Sequence, residues 1–251
     1  TMMRTISTIN GLVNAGGGGA PASQAAYVIA IMRGNFTTKD GKDRTYLLAD
    51  GIGVGYGARN FADGIDAVYF VAQENYPVEF LELGYPIRLR EYGVVRDSGG
   101  AGRYRGGVGI VREYEILADT SVLGIRIDGV KNPPWGQAGG MGGKAGRIVV
   151  NPYSHIKREL NPLSDGNLLI KGDILRIETG GGGGHGHPFD RPVQAVLTDV
   201  LDGYVSVEAA AQLYGVVIED RTINGDKTSC LRTTRPKVKA FHRKEYLDVL
   251  N

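Results

Sequence analysis

Three stretches of this chain carry six glycines each: RDSGGAGRYRGGVGIV at 96–111, NPPWGQAGGMGGKAGRIVVNP at 132–152 and GGGGGHGHPFDRP at 180–192. Glycine reaches positive φ cheaply and leaves room for a ligand or a second backbone to come close, so each stretch reads as a loop. Glycine makes up 39 of 251 residues, about twice ordinary usage. The glycines are clustered rather than periodic, which excludes collagen and simple linkers and leaves a folded protein with many tight turns. The reading is a β-rich α+β fold with short strands, two clear helices and three glycine loops gathered on one side. There they are expected to crowd around a shared cleft that a neighbouring polypeptide completes.

Charge and hydropathy narrow the partners. With 29 basic and 27 acidic residues, the chain has no nucleic-acid footprint. No apolar stretch approaches the roughly 20 residues that span a bilayer, and the start lacks a signal-peptide core, so no membrane contact and a cytoplasmic location are expected. The single cysteine, Cys230, excludes an internal disulfide and fits a reducing compartment. It lies in TSCLRTT with no adjacent His, which favours a surface or packing thiol over a nucleophile.

Taken in order, Thr1 to Ala15 reads as weak strand through Ile6, Thr8, Asn10 and Leu12. Pro21 and Ser23 before an Ala-rich apolar run predict a helix over 22–33, stopped by Gly34 and Asn35. Asp40 and Gly41 mark a turn before a strand at Tyr46–Leu48. Residues 67–95 alternate apolar and polar side chains and predict strands broken at Pro77 and Pro86. Residues 111–127 predict a hairpin turning at 118–120, and 166–179 a second around Lys171, Gly172 and Asp173. Residues 195–218 read as strand, turn at Asp202–Gly203, helix capped by Ser206 and stopped by Gly215, then strand. Residues 219–251 form a charged tail whose end, RKEYLDVL, predicts a short helix; its alternating sign suits a solvated or partner-docking segment.

Several side chains are candidates for chemistry. Around the central loop, Arg96, Arg103 and Arg105 can fork onto carboxylates or phosphates, or pair with nearby acids such as Asp97. Asp50 and Asp63 each precede a glycine; paired carboxylates can bind a metal, but turn chemistry is the favoured reading. Glu74, Glu79 and Glu82 could orient a substrate amide or shuttle protons, although an outward-facing strand position explains any one of them. Trp135 is a stacking wall or, by preference, a loop anchor. His185 and His187 stand two apart, which in an extended segment aims both rings to one side, as zinc sites require. Asp190 is close by, yet two ligands do not make a site and no third His or Cys is near.

The order of longer motifs adds a resemblance. ADGIGVGYGA at 49–58, ENYPVEFLE at 74–82, YPIRLREY at 85–92, RDSGGAGRYRGGVGIVREY at 96–114, PPWGQAGGMGGKAGR at 133–147, IKGDILRIETGGGGGHGHPFDRP at 170–192 and DVLDGYVSVEAAAQLYGVV at 199–217 together resemble the C-terminal half of the hydantoinase B family. That family includes the matching part of 5-oxoprolinase and the large subunits of acetone and acetophenone carboxylases. The resemblance spans roughly 45–218. It implies a C-terminal half of a hydantoinase B-type domain over 1–218 and a charged tail over 219–251.

The resemblance also implies an ATP-dependent enzyme. A hydantoinase A-type partner holds ATP and Mg and phosphorylates the carbonyl or enol oxygen of a cyclic amide or ketone. The B-type subunit then handles the activated substrate, commonly with a divalent metal whose ligands lie outside this chain, in an N-terminal half supplied by another chain or segment. The leading expectation is a subunit of an ATP-dependent cyclic-amide hydrolase of hydantoinase or 5-oxoprolinase type. The alternatives are a ketone carboxylase subunit and a non-catalytic structural half. No catalytic or metal residue is carried over; the substrate-pocket candidates are Glu79, Glu82, Asp97, Arg103, Arg105, Trp135, His185 and His187. The run His185-Gly186-His187-Pro188 departs from the family pattern of an aromatic residue, Gly and an acid before Pro, which points to a variant pocket.

Overall fold

The computed structural model describes residues 2–25, 27–69 and 75–238. Glu74 and the short helix expected over RKEYLDVL lie outside the described residues. The chain opens with helix α1 (Met2–Ala15) and a hairpin of β1 (Val28–Thr37) and β2 (Asp43–Ile52). Next come α2 (Val78–Gly84), β3 (Ile87–Val94), β4 (Ile110–Ile116), β5 (Thr120–Ile127), β6 (Arg147–Val150), β7 (Arg158–Glu159), β8 (Leu163–Ile170) and β9 (Ile174–Glu178). Helices α3 (Val193–Leu201) and α4 (Val207–Tyr214), a small ribbon of β10 (Ile218–Glu219) and β11 (Thr222–Ile223), and α5 (Gly225–Thr233) follow.

The strands form a four-stranded sheet, β2-β1-β5-β8, and a five-stranded sheet, β3-β4-β9-β6-β7. One apolar cluster lies between them, with Met32, Leu48 and Leu123 from the first sheet and Ile87, Ile116 and Ile177 from the second. A second cluster, with Val196, Ala210, Tyr214 and Val216, packs α3 and α4 together. The β-rich α+β expectation holds.

Local expectations fail where two periodicities compete. Residues 6–13 form part of α1 rather than a strand, because Ile6, Ile9 and Val13 make a helical stripe that the alternation obscured. The helix expected over 22–33 gives way to β1, where Val28, Ala30 and Met32 point inward and alternate with Ile29 and Ile31. Branched side chains suit a strand, and pairing with β2 and β5 along nearly the whole length settles it. Gly34 is no helix stop; it lies where β1 presses against the Thr120 carbonyl of β5. Residues 78–84 are a helix with Pro77 at its N-cap, and only Leu81 is buried. Residues 193–201 are likewise helical, since Val193, Val196, Leu197 and Val200 recur at helical spacing against α4.

Both expected hairpins are sheet-to-sheet crossings. β4 pairs with β3 and β9, whereas β5 pairs with β1 and β8. The turns are where the sequence placed them, with Gly172 at φ 89°. They lie against each other: Gly172 N–H donates to the Ile116 carbonyl at 2.8 Å and Ile116 N–H to the Asp173 carbonyl at 2.9 Å. A turn signal marks a reversal of the chain but does not say which strand lies alongside. The Ser206 cap and the left-handed Gly215 stop of α4 are present as read.

The glycine loops gather, and two further segments, 22–25 and 53–58, join them. At the centre runs 180–186. Gly182 N–H donates to the Gly107 carbonyl, Gly183 to Ser23 and Gly184 to Met141, each at 2.8 Å. Successive N–H groups therefore reach three different neighbours, the pattern of an extended chain with three residues per turn rather than of a strand. What the loops enclose is packed backbone and not a cleft: Gly181 to Gly184 are buried. A Cβ on Gly55, Gly107 or Gly182 would fall well inside 3.0 Å of a neighbouring carbonyl.

This packing predicts a sharp contrast between two substitutions. Gly182→Ala has only rigid backbone to displace and should cost more than about 4 kcal/mol, the exceptional end of the point-mutant range. Gly84→Ala, at the end of α2 with nothing within 4 Å, should be neutral or stabilising by up to about 1 kcal/mol. Urea unfolding midpoints of the two variants measure the difference.

Candidate functional site at the end of the glycine bundle

The sequence candidates separate into three groups. Glu79 is exposed in the first turn of α2, and Glu82 accepts the Leu89 N–H at 2.8 Å. Both stand apart from the glycine bundle. Asp97, at φ 59°, receives the Ser206 N–H at 2.8 Å and so ties the central loop to the start of α4. Arg105 is 3% exposed and pairs with acids. Arg103, Trp135, His185 and His187 converge at one end of the bundle.

At that end His185 bridges to both Tyr104 and Gln137. Arg103 N–H donates to the Gly186 carbonyl at 3.1 Å, and its guanidinium lies over the Tyr104 ring, 5.6 Å from the centroid. The half-buried Trp135 is a loop anchor as read: a Cβ on Gly11 would lie 3.4 Å from its ring, so the indole holds α1. Burial holds the His185 imidazole below the ordinary histidine value, which keeps it neutral near pH 7. Asp190 forms a two-pronged pair with Arg235 at 2.7 and 2.8 Å.

The His-x-His pair does not fit a metal. Gly186 at φ 72° breaks the extended run that would align the rings. His187 Nδ1 accepts the Phe189 N–H at 3.1 Å, and its Nε2 is 2.9 Å from the Pro236 carbonyl, so both ring nitrogens are engaged. Among the described residues no group of three or more His, Cys, Asp or Glu could hold a metal ion.

Beneath this end lies a charge network that the sequence did not reveal. Arg191 spans Asp63, at 2.7 and 2.8 Å, and Asp199, at 2.9 Å. Arg105 spans Asp66, at 2.9 Å, and Asp199, at 3.4 Å, and lies over Tyr204. The Asp63 carboxylate also accepts Arg105 N–H, and Asp66 accepts Val108 N–H, each at 2.7 Å. Asp63 is therefore more than a turn residue. Apart from Arg191 and Asp199, which are 8 residues apart, the side-chain partners lie 39 to 128 residues apart in sequence, and no local pattern links them. Burial raises the Asp63 pKa, but the hydrogen bonds and charge of Arg191 outweigh it and hold the carboxyl below its ordinary value. Asp199 is more deeply desolvated, and burial pushes its carboxyl upward despite the same guanidinium.

Asp50, the other Asp-Gly acid, is buried between the sheets, where Arg112 Nη1 and the Tyr114 hydroxyl both reach its Oδ2 at 2.5 Å. Turn chemistry does not describe it. It sits inside β2 with its side chain on the core face.

The comparisons agree with this architecture. The family model described as Hydantoinase B/oxoprolinase matches residues 1–188. The caprolactamase β subunit of Pseudomonas jessenii is 36% identical over 186 residues, covering 70% of this chain and 31% of that protein. The crystal structure of the ATP-dependent caprolactamase from the same organism superposes with a TM-score of 0.66 at 26% identity, over 84% of this chain and 39% of that one. A nucleotide-free acetone carboxylase structure gives a TM-score of 0.70 at 21% identity, over 85% of this chain and 33% of that one, which is a likeness of fold. The chain belongs to the hydantoinase B/oxoprolinase family. It spans about a third of the length of these relatives.

The buried network predicts the cost of opening it. Arg191→Met leaves Asp63 and Asp199 without their shared cation and should destabilise by about 3–5 kcal/mol. Arg235→Ala removes an exposed pair and should cost no more than about 1 kcal/mol. Because the folded-state value of Asp63 is depressed, its contribution is complete at neutral pH and is lost as pH falls through that value. Asp63→Asn should therefore flatten the loss of unfolding free energy on acidification, read from urea titrations across the acid range.

Proposed function

We propose that this chain is part of the B-type subunit of an ATP-dependent cyclic-amide hydrolase of hydantoinase or 5-oxoprolinase type. The observation that carries the reading is the family match over residues 1–188 together with 36% identity to a caprolactamase β subunit. Phosphorylation of a ring amide oxygen by an A-type partner holding ATP and Mg makes a leaving group and relieves amide resonance, so that water opens an otherwise stable ring. Residues 1–218 serve as the C-terminal half of the B-type domain, and 219–251 follow as a charged segment that begins in the β10–β11 ribbon and α5, in a cytoplasmic assembly. Arg103 and His185 face the activated substrate from the end of the bundle, and Trp135 and His187 hold the loops around them in place. Any divalent metal is held by residues outside this chain.

The surface supports assembly with more polypeptide. Ile9 and Leu12 on α1, Leu47 on β2, and Leu168 and Ile170 on β8 are between 52% and 68% exposed. Uncovered apolar side chains on this scale suit burial against the rest of a B-type protein. No helix among the described residues is long and apolar enough to cross a membrane. The fold likeness to acetone carboxylase keeps a ketone carboxylase subunit as the second reading. The greater identity to the caprolactamase chains supports the hydrolase as the first reading.

Reconstitution with an A-type partner and the remaining B-type segment should give ATP-dependent ring opening of a hydantoin, 5-oxoproline or caprolactam, with ADP formed in step. ADP release that instead requires bicarbonate and a ketone moves the assignment to the carboxylase. No nucleotide turnover with either substrate class rejects both.

A further inference from the structure

A cleft of about 850 Å³ opens where the five-stranded sheet meets the glycine bundle, away from the His185 end, and Arg96, Lys144, Arg147, Arg176, Glu178 and Asp202 line it. Its volume lies within the range of small-molecule sites. Four cations face two acids, and their pairing is uneven. Glu178 is held by Arg147, at 2.6 and 3.0 Å, and by Arg176 at 2.8 Å. Burial raises the Glu178 pKa, but these two guanidinium groups outweigh it and the carboxyl stays below its ordinary value. Arg176 is further tied to Glu91 and Glu113. This side of the cleft is an internally neutralised, fixed wall.

Arg96 and Lys144 differ. Among the described residues Arg96 bonds only through Nε, to the Gly203 carbonyl at 3.3 Å, with both terminal nitrogens of its fork left over. Lys144 is exposed and makes no ion pair among the described residues. The Lys144 backbone is held in place: its N–H donates to the Ser98 carbonyl at 2.8 Å, and its carbonyl accepts Gly181 N–H at 3.1 Å. Two cations that make no ion pair among the described residues, one forked and one compact, thus stand with the exposed Asp202 where the cleft meets the glycine bundle.

We propose that this cleft binds the phosphoryl group of a small molecule, with Arg96 and Lys144 as the recognising residues. A phosphate monoester carries between one and two negative charges near neutral pH and offers three acceptor oxygens, which matches one guanidinium fork plus one ammonium. A monocarboxylate offers only two acceptor oxygens, too few to engage the guanidinium fork and the ammonium together. The binding is a property of this chain alone and stands whether or not the hydrolase reading does.

The test is a titration of the 251-residue chain with inorganic phosphate at fixed ionic strength, followed by amide chemical shifts, with succinate and acetate in parallel. Saturable phosphate binding is expected. Lys144→Ala and Arg96→Ala should each weaken it about 10-fold or more, the loss of one charge-assisted contact. Arg33→Ala, on the outer face of the four-stranded sheet and paired with Asp165, should leave it unchanged. Lys144 is exposed, so its variant tests binding without disturbing the fold. The proposal is overturned if phosphate does not saturate, if both cleft variants bind as well as the original chain, or if succinate binds as tightly as phosphate.

Discussion

Everything in this structure hangs on backbone packed directly against backbone. The segment 180–186 is surrounded by parts of four others, and its N–H and carbonyl groups are taken up by theirs. A buried peptide group left unpaired costs about 1–3 kcal/mol, so a bundle of bare chain is stable only when nearly every member is satisfied. Side chains would prevent this by holding the chains apart. Glycine weakens the ordinary elements of a fold through its entropy, and here that cost is offset because no other residue permits the contact. The two apolar clusters are joined through the bundle, with Ala25 belonging to one and Ala101 to the other.

Buried charge is the second constraint. A bare bundle has no apolar side chains to lock its flank, and Arg105, Arg191, Asp63, Asp66 and Asp199 do this with ion pairs and hydrogen bonds to backbone N–H groups. The arrangement joins the loop after β2, the central glycine loop and α3. Such a network is worth little against an apolar core of the same volume, but removing one member leaves an uncompensated charge, so it specifies one arrangement. The Asp50–Arg112–Tyr114 cluster plays a comparable part between the sheets. The arginines of the central loop consequently divide by task. Arg105 is structural, Arg103 stands at the bundle end over Tyr104, and Arg96 opens onto the cleft.

Legibility followed the range of each interaction. Ser206 and Gly215 were readable because a cap is decided within four residues, and the Gly41 and Gly172 turns for the same reason. The segments 22–33 and 195–201 are ambiguous in sequence because each carries an apolar run compatible with both periods, and pairing to β2 and β5 or packing on α4 chooses between them. Of the bundle-end group, Arg103, Trp135, His185 and His187 were named from residue type and neighbourhood. Lys144, Arg147 and Arg176 were not, since nothing in sequence brings 96, 144 and 176 together.

By itself, then, the sequence determined that three clustered glycine stretches must come close to something, that the fold is β-rich α+β, and, through its ordered motifs, the family. Only the tertiary structure decided what they come close to, which is one another, and which strands pair after each turn. The reason is physical: glycine frequency reports that a Cβ is not tolerated, a local fact. The identity of the intruding carbonyl and the acid that meets each arginine depend on contacts up to 132 residues apart, which no local pattern encodes.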